Sequence, residues 1–187
     1  MQVTINQSRL ELVEGDITEQ DTEAIVNAAN PRLLVGGGVA GAIHRAAGPQ
    51  LLEECRSLGG CQTGDAKITK GYRLRAKHVI HTVGPVYYRD GERAPELLAS
   101  AYRRSLEVAA ENNVRSVSFP SISTGAYGYP LEEAAPIALQ TAINYLESHT
   151  DPSTGLRTSV ELVRFVLFGH SAYQVYERTL REILAQK

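Results

Sequence analysis

Short runs of apolar residues alternate along the chain with longer segments in which apolar residues recur every three or four positions. The short runs predict seven β-strands, at residues 3–5, 9–14, 24–27, 66–69, 78–83, 116–119 and 162–168. The longer segments predict five helices, at residues 39–47, 49–57, 95–111, 131–147 and 172–185. Because strands and helices alternate, the pattern indicates an α/β protein with a layered sheet.

The ends of these segments refine the prediction. The first two strands are close in sequence and can pair antiparallel, which predicts a mixed sheet. Pro95 and Pro130 are expected in the first turn of their helices, and Ser171 is expected to cap the last helix. Residues 148–159 are expected to form an exposed loop. The last helix carries an apolar stripe that is expected to pack on the sheet: Tyr173, Tyr176, Leu180, Ile183 and Leu184.

Composition narrows the class of protein. A chain of 187 residues that is 43% hydrophobic and 21% charged has the size of one compact domain, so residues 1–187 are predicted to be a single domain. The net charge of −2 offers no basic field for general nucleic-acid binding. An anionic ligand would therefore be held by backbone dipoles and polar side chains.

The amino terminus, MQVTINQ, has no leader signature, and no apolar run approaches the length of a bilayer span. These features predict a cytoplasmic protein without membrane contact. Cys55 and Cys61 lack Cys-x-x-Cys spacing and are expected to be buried thiols. We predict no metal and no cofactor, because metal-binding spacing is also missing from the histidines, His44, His78, His81, His149 and His170.

The stretch from position 25 to position 48, IVNAANPRLLVGGGVAGAIHRAAG, is the most informative part of the chain. A strand delivers Asn27 and Asn30 to its carboxyl end, where open α/β sheets bind ligands. Three glycines then allow close backbone approach or positive φ, and the amino end of a helix, which attracts anions, follows. A plain glycine-rich turn without a ligand remains the alternative interpretation.

Gly36, Gly38 and Gly41 match the G-x-G-x-x-G pattern of dinucleotide-binding folds. The context differs, because NPRLLV intervenes after the strand and no acidic strand end follows about 20 residues later. A nicotinamide-dependent oxidoreductase is therefore a weaker hypothesis.

A second glycine loop, PSISTGAYGYP at residues 120–130, follows the sixth predicted strand. It offers the hydroxyls of Ser121, Ser123 and Thr124, and its two glycines leave backbone N–H groups free for an anion. An ordinary connection remains the alternative. Two such loops at the carboxyl ends of different strands favour a ligand with a central diphosphate.

Asp16, in the segment GDIT just after the second predicted strand, has two possible roles. Aspartate at such a position is commonly an N-cap or a turn residue. Its carboxylate could instead accept a hydrogen bond from the exocyclic amine of a purine.

Six motifs in series resemble those of the macrodomains, most closely the branch that hydrolyses ADP-ribose from proteins and from O-acetyl-ADP-ribose. The resemblance covers nearly the whole chain. The motifs are GDIT from position 15, IVNAAN from 25, GGGVAGAIHRAAG from 36, TGDAKITKGYRL from 63, VIHTVGP from 79 and SISTGAYGYP from 121.

The resemblance implies a three-layer α/β/α sandwich that binds ADP-ribose across the carboxyl end of its mixed sheet. Asp16 would receive the adenine amine beside the Ile17 amide, and Phe168 would stack on the adenine. Asn30 would hold the hydroxyls of the distal ribose, and Asn27 would orient the loop from beneath. The loops around the distal ribose and diphosphate would be Gly36, Gly37, Gly38 and Val39, and Ser123, Thr124, Gly125, Ala126 and Tyr127. His44 and His81 are interpreted as structural.

Ala40 stands where the hydrolytic branch has an aspartate, in the series glycine-glycine-glycine-valine-aspartate-glycine. The resemblance implies that this carboxylate and Asn30 act at the distal ribose, and the carboxylate polarises the attacking water or orients the sugar. General-base assistance is typically worth about 10² to 10⁴ in rate, so the chain is expected to bind but turn over poorly. Ala40 is either natural, in a non-catalytic reader, or a substitution in a hydrolase. Val35, where glycine is frequent in this branch, is a lesser departure.

The partners implied are ADP-ribose, mono-ADP-ribosylated proteins and O-acetyl-ADP-ribose.

Overall fold

The computed structural model describes residues 1–149 and 159–187. Its strands are β1 Gln2–Ile5, β2 Ser8–Glu14, β3 Ala24–Ala28, β4 Ala66–Lys70, β5 His78–Thr82, β6 Ser116–Phe119 and β7 Leu162–Leu167. Its α-helices are α1 Gly38–Ala47, α2 Pro49–Ser57, α3 Tyr87–Asp90, α4 Ala94–Glu111, α5 Leu131–Ser148 and α6 His170–Ala185.

The described strands form one sheet in the order β1-β2-β7-β6-β3-β5-β4. Strands β2, β7, β6, β3 and β5 are parallel, whereas β1 and β4 run antiparallel to their neighbours at the two edges. The predicted mixed sheet is therefore confirmed. The five parallel strands end at the same edge of the sheet, which places the loops that follow them side by side.

Two cores cover the two faces of the sheet. Ile25 packs with residues of α1 and α2, and its neighbour Val26 packs with residues of α4, α5 and α6. Since successive residues of a strand point to opposite faces, the two groups of helices lie on opposite sides. This arrangement is the α/β/α sandwich that the resemblance implies.

The predicted boundaries of the main elements agree with the structure to within one residue, except at the start of α6. That helix begins at His170 with Gly169 as its N-cap, so the prediction of Ser171 as the cap is wrong. Pro95 lies in the first turn of α4 as predicted, but Pro130 is the N-cap of α5. Short helical segments at Ile17–Glu19, Tyr87–Asp90 and Gly91–Arg93 were not predicted.

Most of the predicted loop at 148–159 lies outside the described residues, and Ser148 belongs to α5.

The apolar stripe of α6 packs on the sheet as predicted. Tyr176 and Leu180 are fully buried, and Tyr173, Ile183 and Leu184 lie against the same core. Cys55 and Cys61 are buried free thiols. Among the described helices, none combines the length and apolar character needed to cross a membrane. The described residues also hold no cluster of three or more His, Cys, Asp or Glu side chains that could bind a metal ion.

Candidate functional site

A cleft runs along the carboxyl ends of the parallel strands and divides into two connected parts. The first part encloses about 430 Å³, and its wall includes Asp16, Ile17, Leu167 and Phe168. The second part encloses about 240 Å³, and its wall includes Asn30, Gly36, Gly37, Ala40, Ser123, Gly125, Ala126 and Tyr127. Gly38, Val39 and Ser121 line both parts, so the amino end of α1 lies between them.

Asp16 follows β2 and caps the short helical segment Ile17–Glu19. Its Oδ1 accepts hydrogen bonds from the backbone N–H of Thr18 at 2.8 Å and from the Thr18 hydroxyl at 2.7 Å. No hydrogen bond to Oδ2 forms within the described residues, although Asp16 lines the cleft. One oxygen therefore holds the local fold and the other is available to a ligand, so the two roles proposed from sequence are compatible.

Phe168 directly follows β7 and is 87% exposed in the wall of the first part. A large apolar ring left in water at the rim of a cleft offers a flat surface to a planar ligand group. Ile17, which is buried, contributes to the same wall.

The glycine loop of the second part is held in place by Asn30. The Asn30 amide donates to the Leu34 carbonyl at 2.9 Å and accepts from the Leu34 N–H at 3.0 Å. One N–H and one lone pair of this amide remain for a ligand. Sequence reasoning assigned Asn30 to the ligand alone and missed its bonds to the loop.

Gly41 has a packing role. In the sequence it stands out only as part of the G-x-G-x-x-G pattern. A Cβ on Gly41 would lie 2.5 Å from the Gly36 carbonyl oxygen. The missing side chain lets the glycine loop fold back closely onto α1. Gly38 has a φ of +54°, which favours glycine for a different reason.

The second loop places Ser123 in the wall with a φ of +68°. Its hydroxyl is buried and has no hydrogen-bond partner in the part of the chain that the structure describes. Such a group is uncommon in a folded protein and is satisfied when a ligand or water binds. Thr124 is not part of the wall, because its hydroxyl donates to the Ser121 carbonyl at 3.1 Å.

Gly84 is a functional residue that sequence reasoning missed. A Cβ at this position would overlap Ser123 Oγ and lie 2.5 Å from Ile122 Cγ2. Gly84 therefore lets the second glycine loop pack against the end of β5. The motif VIHTVGP contains it, and the close packing could be found only in three dimensions.

Asn27 lies beneath the cleft and is not part of its wall, in contrast to Asn30. Its Nδ2 donates to His81 Nδ1 at 3.1 Å, and its Oδ1 is buried without a partner within residues 1–149 and 159–187. His81 Nε2 lies 2.9 Å from the Thr69 hydroxyl and 3.7 Å from the Cys55 sulfur. These four side chains form a buried polar cluster that supports the ends of β3 and β5.

Burial controls the charge of this cluster. Desolvation, with a smaller contribution from His44, lowers the pKa of His81 to about 3. Desolvation also raises the pKa of the Cys55 thiol to about 11 and lowers the pKa of His44. The cluster is therefore neutral at physiological pH, which fits a structural role for both histidines.

The cleft has little charge of its own. Asp16 is the charged side chain in its wall as the structure describes it, and neither Lys nor Arg contributes to that wall. The two glycine loops and the amino end of α1 supply backbone N–H groups and a positive dipole end instead. This environment suits a diphosphate between two uncharged groups.

Ala40 is the third residue of α1, and it lies in the wall of the second part. It is only 5% exposed. Its methyl group can neither accept a proton nor orient a sugar hydroxyl.

A wider groove of about 620 Å³ lies between α4, α5 and α6, and its wall includes Pro95, Pro136 and Thr179. It lies on the helical layer, away from the glycine loops and the carboxyl ends of the strands. The cleft is therefore the better candidate site.

Comparison with known proteins agrees with this geometry. A family model described as "Macro domain" matches residues 26–138. The chain is 50% identical to ADP-ribose glycohydrolase MACROD2 of Xenopus laevis, over 93% of this chain and 40% of that protein. It is 49% identical to O-acetyl-ADP-ribose deacetylase of Cronobacter sakazakii, over 92% of this chain and 93% of that protein.

A solved structure, the Oceanobacillus iheyensis macrodomain with ADP, superposes with a TM-score of 0.93 at 44% identity and covers 100% of this chain and 97% of that one. The resemblance inferred from six motifs is confirmed. The chain belongs to the Macro domain family.

Proposed function

We propose that this chain binds ADP-ribose in the cleft, with the adenosine in the first part and the distal ribose in the second. The observation that carries the proposal is the sequence of groups along the cleft. A carboxylate with one free oxygen and an exposed aromatic ring lie at one end, and two glycine loops with an unpartnered Ser123 hydroxyl lie at the other. The name and ligand of the similar proteins support the same assignment.

We further propose that the form with aspartate at position 40 hydrolyses ADP-ribosyl esters of acidic side chains in proteins, and O-acetyl-ADP-ribose. Water adds across the ester, and the products are ADP-ribose and a free carboxylic acid. The carboxylate would polarise that water or orient the distal ribose from the first turn of α1, and Asn30 would hold the ribose hydroxyls. The printed activities of two relatives support this class of reaction.

The alternative is a reader that binds mono-ADP-ribosylated proteins without chemistry. Ala40 favours this alternative, because an alanine removes the carboxylate and leaves the rest of the cleft in place. Whether Ala40 is natural or a substitution is the question that separates the two hypotheses.

The Ala40→Asp variant tests the hydrolase proposal. We expect it to release ADP-ribose from a protein mono-ADP-ribosylated on a carboxylate about 10² to 10⁴ times faster than the chain with Ala40. Ala40→Asn is the matched control, because it has nearly the same shape without the charge, and it should stay slow. If Ala40→Asp binds ADP-ribose and releases none from the substrate, the reader is the correct function.

Calorimetry tests both the proposal that the chain binds ADP-ribose and the hypothesis that it is a nicotinamide-dependent oxidoreductase. The chain as it stands should bind ADP-ribose at least tenfold more tightly than NAD, which corresponds to about 1.4 kcal/mol. Tighter binding of NAD would favour an oxidoreductase instead.

A further inference from the structure

The charge of this chain is segregated, although its total is close to zero. Residues 32–77 contain eight Lys and Arg but three Asp and Glu, a net charge of +5 in a chain whose total is −2. The segment includes α1, α2 and β4, and β4 is an edge strand of the sheet.

Ion pairing follows the same boundary. In the described part of the chain, every Lys and Arg outside residues 32–77 pairs with a carboxylate within 4.0 Å. None of the eight inside the segment pairs with a carboxylate of residues 1–149 or 159–187. Of the three acids, Asp65 pairs with Arg104 from outside the segment, and Glu54 accepts from the Lys70 N–H and the Tyr72 hydroxyl. Among the described residues, the positive charge of the segment therefore lacks carboxylate partners, and Lys67 Nζ donates to the Leu58 carbonyl at 2.8 Å.

This charge begins beside the second part of the cleft. Arg45 lies on α1. A Cβ built on Gly41 would be 3.1 Å from Arg45 Nη1 and 2.5 Å from the Gly36 carbonyl oxygen. The Arg45 guanidinium group therefore lies close to the glycine loop. Arg73 donates its N–H to the Ala47 carbonyl at 3.2 Å and places its side chain against Gly48, where α1 ends. Arg45, on α1, and Arg73, beside the end of α1, are both exposed.

The same charge continues to the edge of the sheet. Lys70 ends β4, and Arg75 and Lys77 lie between β4 and β5; all three are exposed. We define the basic band as Arg45, Arg73, Arg75, Lys70 and Lys77. Arg45 lies near the glycine loop, whereas Lys70, which is paired with His78 at the amino end of β5, and Lys77 lie at the end of these strands away from the cleft. The band therefore follows α1 from the glycine loop to the opposite end of the sheet.

We infer that the basic band binds the acidic segment of a substrate protein that flanks the ADP-ribosylated side chain. This inference rests on the proposed function, since it takes the distal ribose, and hence the attachment to protein, to lie in the second part of the cleft. A carboxylate-rich segment that leaves the cleft there meets Arg45 first. Exposed guanidinium groups without internal partners can each form a forked pair with a carboxylate.

The composition of the segment favours an acidic polypeptide over a single-stranded nucleic acid. Nucleic-acid surfaces of that kind interleave basic residues with aromatic rings on which bases stack. Tyr72 is the single aromatic residue in this segment, and its hydroxyl donates to Glu54 at 2.7 Å. The band thus offers charge without a stacking platform.

Peptides test the inference with the chain as it stands, whose Ala40 keeps the substrate intact. Two peptides carry one ADP-ribose on a central glutamate, and the flanks are rich in Asp and Glu in one and in Ser and Gly in the other. Fluorescence polarisation should show that the acidic peptide binds about tenfold more tightly at low ionic strength. The preference should shrink above about 0.5 M salt, where charges are screened within a few ångströms.

The triple variant Arg45→Gln, Arg73→Gln, Arg75→Gln should reduce the preference to less than twofold and leave the affinity for free ADP-ribose unchanged. The matched control, Arg103→Gln, Arg178→Gln, Arg181→Gln, removes the same charge from arginines that have ion-pair partners. It should retain the preference.

Three outcomes would overturn the inference. The two peptides could bind equally well, the preference could survive in the triple variant, or the control could abolish it to the same extent. Tighter binding of a 20-nucleotide RNA than of the acidic peptide, lost in the triple variant, would assign the band to nucleic acid instead. Failure of free ADP-ribose to bind the unaltered chain would contradict the proposed function, a result separate from all of these.

Discussion

The two parts of the cleft are built differently. In the first part, side chains on the ends of strands form the wall, with Asp16 after β2 and Phe168 after β7. In the second part, two glycine loops form the wall, and missing side chains let Gly41 pack closely on Gly36 and Gly84 on residues 122–123. A wall of side chains should lose a contact when one residue changes, whereas a wall of backbone should lose its shape when a Cβ is added.

The largest effect is expected where two loops touch. Gly84→Val would drive a branched side chain into Ile122 and Ser123. We expect the free energy of unfolding to fall by about 3 kcal/mol, the upper range for overpacking, and the ADP-ribose affinity to fall with it. Urea denaturation measures the first quantity.

Gly125→Val is the control for Gly84→Val, because Gly125 lies in the second glycine loop, against which Gly84 packs, and a Cβ on Gly125 meets no atom within 4 Å. It should unfold at nearly the unaltered urea concentration. Equal destabilisation by both substitutions would contradict the close packing of Gly84.

These two glycines illustrate what sequence reasoning can reach. Strand and helix positions follow from local periodicity, so nearly all their boundaries were predicted. The contact of Gly84 with Ser123 joins residues 39 positions apart, and no local pattern records it. The same limit applies to the partner of the Asn27 amide, because His81 is 54 positions away along the chain. The N-cap of α6 was missed because Gly169 reaches a φ of +110°, which extends the helix towards β7.

The next effect concerns the first part of the cleft alone. Asp16→Ala should weaken ADP-ribose binding by about 2 kcal/mol, the usual loss for a hydrogen bond to a charged group. It should also remove a helix cap, at a cost of about 1 kcal/mol in unfolding free energy.

Asp16→Asn separates these two effects. Asparagine is as good an N-cap as aspartate, so stability should be retained, whereas its amide lacks the second acceptor oxygen and the charge. Calorimetry should show weakened binding for both variants. Unchanged affinity in Asp16→Ala would remove Asp16 from the ligand site.

The buried polar cluster around His81 can be tested separately from the walls of the cleft, because its contribution to stability depends on pH. His81 is neutral in the folded chain because burial lowers its pKa to about 3, whereas the unfolded chain titrates near 6.5. Between these values the unfolded state binds more protons, so stability is complete above pH 6.5 and is lost as the pH falls. The slope reaches about 1.4 kcal/mol per pH unit for one such histidine.

His81→Gln should flatten this dependence, since glutamine keeps polar atoms in the cluster but does not titrate. Urea midpoints between pH 4.5 and pH 7 measure the slope. If the variant and the unaltered chain share the same slope, other groups control the acid sensitivity.

A smaller effect is expected at Ser123, whose buried hydroxyl has no hydrogen-bond partner among the described residues. Ser123→Ala should weaken ADP-ribose binding by about 1 kcal/mol, the typical value of a neutral hydrogen bond, without lowering stability. An affinity equal to that of the unaltered chain would show that the ligand leaves this hydroxyl unpaired.

The smallest change in stability is expected at Gly37, beside a glycine that should behave differently. Gly37 has a φ of −85°, and a Cβ on it meets nothing within 4 Å, so Gly37→Ala should change the free energy of unfolding by less than about 0.5 kcal/mol. Gly38→Ala should cost about 1 kcal/mol, because its φ of +54° disfavours a side chain even though the space is open. Urea denaturation distinguishes them.

If Gly37→Ala is neutral for stability and still weakens ADP-ribose binding, Gly37 is a glycine because of the ligand. If both affinity and stability are unchanged, the second part of the cleft requires glycine at Gly38, Gly41 and Gly84 for its own fold, and the triple glycine is only partly a binding feature.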